Sequence, residues 1–126
     1  MANRAYTQFH LSLVKQPVML WAKAAIGAVG APTLSASNSK GVTSIARTSA
    51  GLYLITLTDP YQKLLMFSSC QVLAAGAPSS LFSLVRSYDL AAKTISVLFV
   101  DSAGAAVELA NGTTLHLKFE LDRSSV

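Results

Sequence analysis

Leu115-His116-Leu117-Lys118-Phe119-Glu120-Leu121-Asp122 alternates apolar and polar residues without a break. A period of two puts Leu115, Leu117, Phe119 and Leu121 on one face and His116, Lys118, Glu120 and Asp122 on the other. That pattern predicts a strand with one buried and one wet side. Asn111-Gly112, just upstream, suits a tight turn with positive φ at both central positions. Thr94–Val100 before it is β-branched and aromatic. The two segments are expected to pair as a hairpin, with the connection at 101–110 holding its own turn at Ser102-Ala103-Gly104.

The middle of the chain repeats this pattern. Gly51 opens Leu52-Tyr53-Leu54-Ile55-Thr56-Leu57-Thr58, and Asp59-Pro60 closes it. Tyr53, Ile55 and Leu57 share one side, Leu52 and Leu54 the other. Both faces are partly apolar, as in an inner sandwich strand or one whose outer face meets another subunit. Residues 43–48, with Ile45 and Arg47 alternating, read as its hairpin partner through Ser49-Ala50-Gly51. Residues 63–73 and 81–88 are two further strands, separated by the turn segment Ala74-Ala75-Gly76-Ala77-Pro78-Ser79-Ser80. At 24–38, small residues with Gly27, Gly30 and Pro32 argue against a long helix, and 18–25 is read as strand over two helical turns. About seven or eight short strands at nearly regular spacing predict an all-β single domain, an antiparallel β-sandwich or a jelly-roll-like small barrel.

A length of 126 residues fits one domain spanning 1–126, with short flexible tails at 1–8 and 123–126. Hydrophobic residues make up 52% and charged residues 13%, which excludes charge-driven disorder and suits a surface partly buried by neighbouring subunits. The net charge of +4 is unevenly spread. Residues 1–50 carry Arg4, Lys15, Lys23, Lys40 and Arg47 and no acid, whereas the remainder carries five bases and six acids. A basic half suits an acidic protein surface, a nucleic acid or anionic lipid. The five charges are widely separated and not interleaved with aromatics, so nucleic acid is not an expected partner. Pro17 and Lys23 interrupt the apolar stretch at 17–36, which falls short of the roughly 20 apolar residues that span a bilayer, and no membrane partner is expected.

The residues that could carry chemistry have blander readings. Ser37-Asn38-Ser39-Lys40 has the S-x-x-K spacing of certain acyl-transfer enzymes, but it lies in a polar turn without the helix and companion motifs. His10 and His116 are the only histidines, with no metal-ligand spacing, and His116 falls on a wet face. The single Cys70 cannot form an intrachain disulfide and reads as a small buried hydrophobe. Asp59, Asp89 and Asp101 each follow an apolar element, where aspartate caps turns through its own backbone; convergence on Ca²⁺ is the alternative. Asn111-Gly112-Thr113 matches a glycosylation acceptor but reads as a turn, and Gly27 and Gly30 lack the strand, loop and helix that bind phosphate. Tyr6, Phe9, Trp21, Tyr61 and Tyr88 are scattered, which suits core or interface placement better than a stacking surface. No enzyme activity, metal, cofactor or small-molecule substrate is expected.

Gly30-Ala31-Pro32-Thr33, the run from Thr48-Ser49-Ala50-Gly51-Leu52-Tyr53 through Thr56-Leu57-Thr58-Asp59-Pro60-Tyr61 to Leu64-Leu65, Val100-Asp101-Ser102-Ala103-Gly104 and the ending Ser124-Ser125-Val126 carry a resemblance. Over about three quarters of its length the chain resembles small virion structural proteins of tailed bacteriophages. The resemblance implies a capsid decoration, or cement, protein on the outer surface of the virion, made in the host cytoplasm. It would bind between subunits of the major capsid protein and associate with itself as a dimer or trimer. A tail, spike or fibre-associated protein that binds another virion protein or a host glycan is the alternative. Expected capsid or subunit contacts are Arg4, Tyr6, Phe9, Lys15, Trp21 and Lys40, with the turn at 37–41; no catalytic residue is carried over. The chain departs from some decoration proteins in lacking an obvious long ordered arm.

Overall fold

The chain folds into eight strands, and in the central ones the alternation of apolar and polar residues becomes an alternation of more and less buried ones. The strands are β1 (Pro17–Ile26), β2 (Pro32–Leu34), β3 (Val42–Ser49), β4 (Leu52–Leu57), β5 (Lys63–Val72), β6 (Phe82–Asp89), β7 (Thr94–Val100) and β8 (Thr114–Asp122). The computed structural model describes residues 17–74 and 81–122. The expected tails at 1–8 and 123–126, and most of the turn segment at 74–80, lie outside them.

All neighbours pair antiparallel, in one four-stranded sheet of order β2-β1-β8-β5 and a second of order β3-β4-β7-β6. The fold is thus all-β with two sheets, consistent with a β-sandwich, and no ladder joins the sheets among the described residues. The first sheet turns Leu20, Ala22, Ala24 and Ile26 of β1 and Leu115, Leu117, Phe119 and Leu121 of β8 inward. Against them the second sheet sets Val42, Ile45, Tyr53, Ile55, Leu57, Ile95, Val97 and Phe99. Tyr53 meets Phe99 edge-on at 5.7 Å between centroids, and Phe67 of the edge strand lies 5.2 Å from Phe119. Fully burying each such large side chain stabilises the fold by roughly 1.5–3 kcal/mol, so the inner faces dominate stability.

The expected β3–β4 hairpin forms, turning at Ala50-Gly51. At Gly51, φ is +71° and a Cβ would meet the carbonyl oxygens of Val107 and Phe99, so only glycine fits. The small-residue stretch after β1 forms two short 3₁₀ turns, Ala28–Gly30 and Ala36–Asn38, around the three-residue β2. Residues 18–25 are strand, within β1.

Four expectations need correction. Asp122, expected on the wet face of its strand, is buried, because the central β8 sets it between Pro17 of β1 and Lys63 of β5. β7 and β8 do not form a hairpin: β7 pairs with β4 and β6 in one sheet, and β8 with β1 and β5 in the other. The connection between them is long enough to cross the sandwich. It folds back at Asp101, whose carboxylate accepts the Ala103 and Ala105 amides, and then docks the Asn111-Gly112 turn onto the end of β1. There the Gly112 amide donates to Ile26 O at 2.8 Å and the Ile26 amide to Thr113 O at 2.9 Å, which sets the β1–β8 register. In that turn only Gly112 has positive φ, not Asn111. Cys70, expected to be buried, is exposed on β5, because Phe67 and not Cys70 has the inward parity on that strand.

Candidate functional site

The described residues separate into two outer faces of different chemistry. On the first sheet the pairing register lays the outward side chains of β1, β8 and β5 in rows: Lys23, His116 and Cys70; Trp21, Lys118 and Ser68; Met19, Glu120 and Met66. Trp21 is 47% exposed and Met19 50%. These are large apolar side chains standing where period two alone would place polar ones. Met19, Trp21, Lys23, Lys118, His116 and Cys70, with Asn38 from the turn after β2, line an open groove of about 590 Å³ that runs over β1, β8 and β5.

Lys40 joins this surface from the far side of Trp21. The Lys40 amide donates to Trp21 O at 2.8 Å, and the Trp21 amide donates back at 3.3 Å, a one-residue extension of the sheet beyond β2. The loop is held there by Ser39. Its hydroxyl donates to Ser35 O at 2.7 Å and accepts the Lys23 amide at 3.1 Å. Ser37-Asn38-Ser39-Lys40 is therefore a structural turn that positions Lys40 beside Trp21. The indole lies between Lys40 and Lys118, with Lys23 two residues along its own strand. An apolar centre with a cationic rim binds by burying the ring while the rim matches negative charge on the partner.

The second sheet's outer face is apolar where the first is basic. Leu52, Leu98 and Leu84 form one row across β4, β7 and β6, and Phe82 lies at its edge. Phe82 and Leu84 are at least half exposed.

Of the expected contact residues, Trp21 and Lys40 are brought together as neighbours, whereas Arg4, Tyr6, Phe9 and Lys15 lie outside the described residues. Lys23, Lys118 and Met19 were not singled out from sequence. The period-two spacing of Met19 and Lys23 from Trp21 is visible along β1, whereas Lys118, on β8, joins them only through the β1–β8 register. His116 and Cys70 are cross-strand neighbours, and no group of three His, Cys, Asp or Glu that could hold a metal occurs among the described residues. Asp89 caps its turn as expected, accepting the Ala92 amide at 3.1 Å. No protein-family model, curated protein or solved structure matches the chain.

Proposed function

We propose that this chain is a virion structural protein of a tailed bacteriophage that decorates the capsid exterior. In this reading it binds where major capsid protein subunits meet and reinforces the shell through many repeated contacts. The observation that carries it is the exposed Trp21 set between Lys40 and Lys118 on the outer face of the first sheet, a surface suited to an acidic protein partner. The sequence resemblance points the same way. Each contact adds modest stability to the bound form, and an array over a shell multiplies it. A glycan-binding tail or spike domain would instead favour a cluster of exposed aromatics. On this face Trp21 is the one aromatic among the described residues.

The test is to add the purified full chain to expanded shells lacking decoration and, separately, to isolated tails, and to follow co-sedimentation and the thermal disruption of the shells. Binding to shells with a rise in their disruption temperature, and ordered density between capsid subunits by cryo-electron microscopy, is the expected result. Binding to tails alone would overturn the decoration reading in favour of the tail-associated one.

A further inference from the structure

The four sheet edges are not alike. β2 is three residues long and begins with Pro32, β3 carries Arg47, and β6 carries Arg86 at a bulge between Val85 and Ser87. Short length, proline, charge and bulges are the devices that keep edge strands from pairing with other chains. β5 is ten residues long, and its bulge lies near its start, between Leu64 and Met66. From Leu64 to Val72 it has no charged residue and no proline. On the side away from β8 its backbone meets no further strand among the described residues, and Leu65, Met66 and Val72 are 42–57% exposed.

From these observations we infer that β5 is the self-association edge of this protein, pairing antiparallel with β5 of a second copy about a two-fold axis through Ser69. Two-fold pairing demands a strand complementary to itself, and a charge-free edge meets that demand without repulsion. Facing residues must share a side of the sheet. With Ser69 on the axis, Met66 faces Val72 of the second copy and Ser68 faces its Cys70, so both half-exposed apolar side chains are covered. The two sheets become one of eight strands. Because the axis runs perpendicular to that sheet, the Trp21 faces of both copies point the same way and form a bivalent platform. The edge pairing does not depend on the shell reading and is tested without a shell.

Size-exclusion chromatography with light scattering on the full chain, over a hundredfold dilution series, is expected to give twice the 13.3 kDa chain mass, falling toward one chain at the lowest concentration. The double change Met66→Lys, Val72→Lys sets like charges opposite each other at both ends of the joint. It is expected to give a monomer that keeps the native circular dichroism spectrum and melts cooperatively, at the temperature wild type approaches on dilution, since both positions are solvent-facing. The register is read by Ser68→Cys, which sets a thiol opposite the partner's native Cys70, at a cross-strand Cβ separation of about 4.5–5.5 Å that a disulfide spans with slight adjustment. Mild oxidation is expected to convert this variant to a covalent dimer, whereas Ala25→Cys, on β1, gives only background. A monomer at every concentration, a trimer, or a dimer that survives the double change would overturn the edge. A dimer that dissociates on the double change but does not crosslink through Ser68→Cys would overturn the register.

Discussion

Arg47 and Glu108, 61 residues apart, are joined by a bidentate ion pair. The Arg47 Nε donates to both Glu108 carboxylate oxygens, at 2.9 and 3.0 Å, and Nη2 donates to Oε2. The pair ties the β7–β8 connection to β3 at the hairpin that Gly51 turns. Hydrogen bonding to Arg47 holds the Glu108 carboxyl below the ordinary glutamate value of 4.5. A carboxyl depressed in the folded state adds stability that is present above its unfolded value and lost as pH falls through its folded one. Glu108→Gln is therefore expected to lower the urea midpoint slightly at neutral pH, with the deficit shrinking below about pH 4.5. The effect is small because the pair is about one-third exposed. A deficit that persists undiminished at low pH would mean that Glu108 acts through packing rather than charge.

Tyr53 closes the same end of the sandwich from inside. Its buried hydroxyl donates to Gly30 O at 2.9 Å, so Tyr53→Phe strands a carbonyl and is expected to cost about 1–2 kcal/mol in denaturant unfolding at pH 7. Burial, with Glu108 adding to it, pushes the phenol up to about 12 from 10.0. A raised phenol favours the neutral form in the folded state, so its contribution is complete below pH 10 and lost as pH rises toward 12. Wild type should lose stability through that window more steeply than Tyr53→Phe. Parallel alkaline profiles for the two would remove Tyr53 as the cause.

What the sequence disclosed follows from what each strand packs against. β4 and β8 were legible because each buries one face of large aliphatic and aromatic side chains, and period two survives in their composition. β1 was less so because its inward residues include Ala22 and Ala24, too small to mark a face, while its outward ones include Met19 and Trp21. Pairing was the harder inference. Thr94–Val100 and Leu115 to Leu121 are adjacent strands in sequence, but the hydrogen bonds of Gly112 and Ile26 send the second to the other sheet. Residue type alone marks Trp21 and Lys40, whereas Lys118 joins them only through that long-range register.

Backbone conformation separates two substitutions of opposite sign. Gly51→Ala would force a Cβ within 2.6–2.8 Å of two carbonyl oxygens at φ +71° and is expected to cost at least about 1–3 kcal/mol. Val29 is a β-branched residue at φ 50°, 79% exposed. Relieving the left-handed conformation there gains about 1–2 kcal/mol, and glycine's extra unfolded-state entropy returns about 0.5–1 of it. Val29→Gly is thus expected to stabilise by up to about 1 kcal/mol in urea unfolding, an unusual outcome for a valine-to-glycine change. Loss of stability would mean that the exposed isopropyl group makes contacts that outweigh the strain.

The Trp21 face makes the sharpest separation between stability and binding. Trp21 is about half exposed and Lys118 exposed, so Trp21→Ala and Lys118→Glu should each leave the thermal melt within a few degrees of wild type. If this face meets an acidic shell, the two changes act differently. Trp21→Ala removes the buried anchor, which at the centre of an interface costs about 2 kcal/mol or more, a loss of thirtyfold or greater in affinity with little change in salt dependence. Lys118→Glu replaces attraction by repulsion on the rim, so its loss should be largest at low ionic strength and shrink as salt screens the charge. Sedimentation of wild type and both variants with undecorated shells across a salt series checks both signatures. Equal binding by all three at every ionic strength would remove this face as the shell contact and direct attention to the apolar Leu52, Leu98 and Leu84 row on the opposite side.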